Sequence, residues 1–212
     1  MSRLETRLTS LVDAIEKKLH RMPVEHAVLT GISGIDASGK GFIAEKLGRE
    51  LDRRGVRTAL ISADDWLALP STRFSEQNPA LHFYENALRL DEMFSKLLLP
   101  LKDHRSVHLP AALTRETSQR HHQHTYEFVD IDVILVEGIF IFKPRYAMQL
   151  DLKLWIDCSF ESAMTRALLR SQEGLGPDAT ARVYRTVYFP AQLIHLERDH
   201  PRSAADLIFP NG

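Results

Sequence analysis

Gly31-Ile32-Ser33-Gly34-Ile35-Asp36-Ala37-Ser38-Gly39-Lys40-Gly41-Phe42 follows the apolar run Ala27-Val28-Leu29-Thr30 and precedes a helical pattern of Ile43, Ala44, Leu47 and Leu51. Strand, glycine-rich turn and helix together converge backbone N–H groups and a helix N-terminus on one anionic spot. Gly34 and Gly39 bracket the turn, because a chain wrapped around a phosphate needs backbone angles and close approaches that a Cβ would block. Lys40 then supplies a point charge to the outer phosphates. The spacing from Gly34 to Lys40 is that of GxxxxGK, with Gly41 standing where a Ser or Thr hydroxyl ordinarily meets Mg²⁺. A chance glycine-rich turn is the competing reading. GxGxxG is absent, so a dinucleotide site has little support.

Working outward, 212 residues suffice for one α/β domain with a small lid, and are too few for two ordinary domains. Lys plus Arg number 27 against 28 Asp plus Glu, a balance that gives no general attraction to nucleic acid. The single cysteine, Cys158, cannot form an internal disulfide, which fits a reducing cytoplasm. No signal-peptide pattern opens the chain and no apolar stretch is long enough to span a bilayer, so a soluble, intracellular protein is expected.

Residues 2–20 set Leu4, Leu8, Leu11, Val12, Ile15 and Leu19 on one face of a helix that Pro23 ends. A second strand, Val56 to Ser62, leads into Ala63-Asp64-Asp65-Trp66. In an open parallel sheet ligands sit beyond the carboxyl ends of the strands, so an acid here faces the phosphate loop and can take the proton of an attacking hydroxyl. A helix N-cap or turn role is the alternative for either aspartate. Leu67 to His82 reads as a loop, and Tyr84 to Leu101 as a crossover helix closed by Pro100. Residues 102–127 hold His104, His108, His121, His122 and His124; the spacing fits no structural zinc pattern, and a solvated loop or hairpin is the preferred reading. Ile131 to Gly138 is a nearly continuous apolar strand ending at Glu137, which implies a strand buried on both faces. Glu137 is a candidate for holding Mg²⁺; a plain strand-terminal turn is the alternative. Leu152 to Asp157 makes a further strand. Phe160 to Leu169 makes a helix carrying Arg166 and leading into Arg170, four residues apart and on one face. Gln172 to Pro177 reads as a hinge, residues 179–197 as a helix broken near Pro190, and Ala204 to Phe209 as a last strand.

Four stretches, GISGIDASGKG at 31–41, SADDW at 62–66, DVILVEGIF at 132–140 and DLKLWID with TRALLR within 151–170, together with the closing Pro201 and Ala204 to Phe209, resemble the uridine kinase and phosphoribulokinase family of P-loop kinases. The resemblance implies a P-loop NTPase fold of the α/β class, with a parallel sheet wrapped by helices, a small substrate hairpin at about 102–127 and a lid at about 166–180. It implies ATP and Mg²⁺ as cofactors. Gly34, Ile35, Asp36, Ala37, Ser38, Gly39, Lys40, Gly41 and Phe42 would bind the nucleotide, and Asp64, Lys40, Arg166 and Arg170 would serve catalysis. Asp64 and Glu137 would face the metal, and Asp64, Tyr84, Arg120 and Glu137 the substrate. The expected partner is a small-molecule alcohol, with no nucleic acid and no membrane, and with homo-oligomerisation open. Two departures stand out: Gly41 itself, and Ala111-Ala112-Leu113 after Val107-His108-Leu109-Pro110, where uridine kinases carry an aromatic Tyr-Asp pair.

Overall fold

Residues 3–170 and 174–212 of a computed structural model describe the chain. Helix Arg3–Leu19 (α1) leads to strand Val28–Gly34 (β1), helix Lys40–Arg53 (α2) and strand Thr58–Ser62 (β2). Helix Pro79–Asn86 (α3) precedes a longer one (α4) built from Leu90–Met93, a π turn Phe94–Leu98, and Leu99–His104. Strands Val107–Leu113 (β3), His122–Phe128 (β4), Val133–Glu137 (β5) and Leu152–Asp157 (β6) follow. Helix Phe160–Arg170 (α5), a long helix (α6) formed by Pro177–Val183, the π turn Tyr184–Tyr188 and Phe189–Asp199, and strand Leu207–Pro210 (β7) complete the order.

Every residue of β1 and of β5 is buried, so both strands need cover on two faces and take the middle of the sheet. The sheet is parallel throughout, in the order β2-β5-β1-β6-β7. Side chains alternate along β5. Val133 and Leu135 join a core with Ile43, Leu47 and Leu51 of α2 and Val12 and Ile15 of α1. Ile134 and Val136 join the opposite core, with Met93, Leu97 and Leu98. The period of two thus separates a layer of α1 and α2 from a layer that includes α4. All five strands point their carboxyl ends to one edge, where the phosphate loop, the turn after β2 and Glu137 gather.

The remaining pair, β3 and β4, is an antiparallel hairpin spanning most of residues 102–127. It is tied to the turn after β2. The Thr114 N–H donates to the Asp65 carbonyl at 3.0 Å, and Trp66 stacks on Tyr126 with centroids 6.1 Å apart. His121 meets Thr114 Oγ1 at 2.7 Å, and among the described residues no group of three or more His, Cys, Asp or Glu is placed to hold a metal.

Three expectations are corrected. Leu67 to His82 is not all loop: Pro70–Arg73 is a helical turn and α3 begins at Pro79, each proline standing at the start, where its missing N–H costs nothing. Neither Pro100 nor Pro190 stops its helix. The Leu99 N–H reaches Phe94 O and the Phe189 N–H reaches Tyr184 O, so a widened turn just ahead of each proline shifts the hydrogen-bond ladder past the residue that cannot donate. The last strand starts at Leu207, because Pro201–Ala204 forms a helical turn before it. Of the hinge expected over Gln172 to Pro177, residues 172–173 lie outside the described residues and Pro177 already opens α6.

Candidate active site

The phosphate loop leaves β1 at Gly34 and enters α2 at Lys40. Gly39 takes φ 92°, a left-handed conformation that side chains disfavour. A Cβ there would fall 2.5 Å from Asn211 Nδ2, and one on Gly34 would fall 2.7 Å from the Ile156 carbonyl. Both glycines are therefore fixed by space. The Ser38 carbonyl accepts from Asn211 Nδ2 at 2.7 Å and from Arg166 Nη1 at 3.2 Å, while Arg166 Nη2 donates to Asn211 O at 2.7 Å. The chain's end and α5 thus brace the loop. Lys40 folds back over it, with Nζ 3.1 Å from the Ile35 carbonyl.

A cleft of about 440 Å³ opens over this loop, lined by Asp36, Gly39, Lys40, Gly41 and Phe42 on one side and by Ser62, Asp64, Asp65, Glu137 and Arg170 on the other. Ser62 and Glu137 are cross-strand partners at the ends of β2 and β5, and Ser62 Oγ donates to Glu137 Oε1 at 2.5 Å. Asp64 sits in the short turn after β2, and its own N–H donates to Ser62 Oγ at 3.3 Å. A narrower pocket continues from Asp64 between Leu67, Phe83, Ile139 and Tyr188, with Glu116 of the hairpin turn in its wall.

Asp64 is open to solvent on the cleft side, yet protein crowds its carboxyl closely. That desolvation, with the negative charge of Glu137 and smaller contributions from Asp36 and Glu116, pushes it up to about 7 against the pull of Lys40. Asp36 behaves oppositely. Burial alone would raise it, but Arg170, with Nη2 at 3.1 Å, Lys40 and the Tyr184 hydroxyl at 2.8 Å outweigh that and hold it below the usual carboxylate range. One acid is kept ionised against the cations while the other is poised to change protonation near neutrality, a division of labour found where a proton must be moved.

The residues fit a nucleotide and its divalent ion. Ser38 Oγ is buried in the loop with no hydrogen-bond partner, and Gly41 leaves room toward Glu137, whose Oε1 lies 4.0 Å from where a Cβ would stand. Two carboxylates, Asp64 and Glu137, suit Mg²⁺, which usually takes one or two carboxylates plus water and phosphate oxygens.

Of the residues expected from sequence, the cleft brings together Asp36, Ala37, Gly39, Lys40, Gly41, Phe42, Asp64, Glu137 and Arg170. Arg166 lies against the loop's backbone and is not among the cleft-lining residues. Tyr84 is corrected: its hydroxyl donates to Asp199 at 2.7 Å and Lys143 packs over its ring, in a buried group with His195 that borders neither pocket. Its place on α3, which packs against α6, turns it there. Arg120 is exposed on the hairpin turn and likewise lines neither pocket. Asn211, Ser62 and Glu116 went unnoticed in the sequence; Ser62, two residues before Asp64 at a strand end, carried the one local signal.

A parallel sheet with a glycine-rich loop after its central strand and acids after the two strands on one side of it is the fold of the P-loop kinases. The chain is similar to uridine kinases in particular. It is 24% identical over 190 residues to uridine-cytidine kinase B of Dictyostelium discoideum, covering 89% of this chain and 76% of that one. Among solved structures, a Bacillus stearothermophilus protein described as a possible uridine kinase superposes with a TM-score of 0.76 at 20% identity, over 98% of this chain and 100% of that one. The D-glycerate 3-kinase of Cryptococcus neoformans superposes with a TM-score of 0.65 at 16% identity, over 88% and 87%. No protein-family model matches the chain.

Proposed function

We propose that the chain is an ATP-dependent phosphotransferase that moves the γ-phosphate to an alcohol of a small metabolite in the manner of a uridine kinase. The observation that carries this reading is Asp64 in one cleft with the glycine loop, Lys40 and Glu137. The loop's N–H groups and Lys40 hold the phosphates, and Asp64 accepts a hydrogen bond from the acceptor hydroxyl. As the hydroxyl oxygen bonds to the γ-phosphorus, the bond from that phosphorus to the bridging oxygen breaks, ADP departs, and the hydroxyl proton passes to Asp64 Oδ. Arg170, held at the mouth by Asp36, is within the cleft to offset charge on the transferring group. Asp64 and Glu137 would hold Mg²⁺, which when bound neutralises the phosphate oxygens. Relatives and neighbours bear the names of kinases for uridine, cytidine and D-glycerate, so the acceptor is the finer part of the proposal.

Gly41 favours a second reading, a nucleotide-binding regulator that has lost turnover. Coupled measurement of ADP release over a panel of alcohols separates the two. Release that depends on an added alcohol supports the kinase, whereas nucleotide binding with no release supports the regulator, and equal release with water alone sinks both.

A further inference from the structure

The narrow pocket beside Asp64 has a charged wall that the phosphate cradle does not account for. Glu116, on the turn between β3 and β4, lines it opposite the apolar side chains of Leu67, Phe83, Ile139 and Tyr188. Its position is set from behind by Arg73, which is 2% exposed. Arg73 Nη2 donates to the Glu116 carbonyl and stands 3.4 Å from its Oε1, so one guanidinium fixes both the main chain and the side chain of a residue 43 positions away. Two more Arg73 nitrogens, Nε and Nη1, are buried without a hydrogen-bond partner. A guanidinium this deeply buried and only partly paired works against stability, so its contribution lies in where it holds Glu116.

We propose that Glu116, clamped by Arg73, selects an uncharged polyhydroxyl acceptor by accepting a hydrogen bond from a hydroxyl adjacent to the one that Asp64 activates. This rests on the kinase reading above. The pocket has about 30 Å³ of free space, room for the hydroxyl-bearing end of an acceptor. An anionic end would meet the carboxylates of Asp36, Asp64 and Glu116, all in the same wall. A neutral hydroxyl avoids that repulsion, and the apolar walls strengthen its bond to a carboxylate. Glu116 is thereby a specificity residue, and Arg73 a positioning residue.

The test compares neutral polyols (glycerol, ribose, fructose, uridine) with anionic alcohols (glycerate, pantothenate, ribulose 5-phosphate) by coupled ADP release, for the native chain and for Glu116→Gln, with a thermal melt of each. The expected result is release with one or more neutral polyols, and in Glu116→Gln a KM for that acceptor raised about tenfold or more with kcat lowered less than threefold, because a charge-assisted hydrogen bond becomes a neutral one. Arg73→Met should raise the same KM. Release confined to anionic alcohols, or an acceptor KM indifferent to Glu116→Gln, overturns the assignment and leaves the kinase reading standing. No release with either group overturns the kinase reading, and this inference with it.

Discussion

Gly41 is a position where added atoms should help. A Cβ built there meets nothing nearer than Glu137 Oε1 at 4.0 Å, an ordinary van der Waals distance, and Gly41 is not among the residues with positive φ. Gly41→Ser should therefore fold without strain. Being in the first turn of α2, it should gain up to about 0.5 kcal/mol from the lower backbone entropy of serine in a helix. The new hydroxyl reaches toward Glu137, where the metal would be held, and adds an oxygen ligand in place of water. A gain on the order of 1 kcal/mol, or roughly five- to tenfold in metal affinity, is the scale of one such contact. Calorimetric titration of Mg²⁺ or Mn²⁺ into the protein saturated with a non-hydrolysable ATP analogue reads this directly, with the melting temperature as the control. A melting temperature that falls by several degrees would refute the steric argument. Unchanged or weakened metal affinity in a well-folded variant would show that Gly41 and Glu137 do not face a common ion.

Gly39→Ala should cost about 2–3 kcal/mol in urea unfolding, from a side chain forced into left-handed backbone and from loss of the Asn211 to Ser38 hydrogen bond it displaces; a loss under about 0.5 kcal/mol would contradict the brace described here. With no metal bound, the Asp64 carboxyl is raised to about 7, so a pH titration followed by infrared difference between the native chain and Asp64→Asn should show it gaining its proton as pH falls through neutrality. Glu137→Gln removes the like charge that raises it most, which should move that titration to lower pH; a titration that stays in place would remove Glu137 as a cause.

The sheet and the cradle were legible in the sequence because their signals are local. The apolar run ending at Glu137 had to be a central strand, and the glycines between a strand and a helix had few other uses. Pro100 and Pro190 misled because a proline reads as a stop, while the π turns that carry the helix past each of them leave no compositional mark. Tyr84 came from the resemblance alone, and only the packing of α3 on α6 shows its hydroxyl committed to Asp199. The brace of Asn211 on Ser38 and the clamp of Arg73 on Glu116 join residues 173 and 43 positions apart, which no periodicity or motif connects.

Whether Asp64 removes a proton at a nucleotide held by the loop decides the function proposed for this chain. Comparing the native chain with Asp64→Asn, by titration of an ATP analogue without divalent metal and by rapid-quench measurement of phosphate transfer to an accepted alcohol with Mg²⁺ added, tests this in one experiment. Nucleotide affinity within about threefold and a transfer rate lowered by about 100-fold or more is the predicted result. A transfer rate equal to that of the native chain would contradict it.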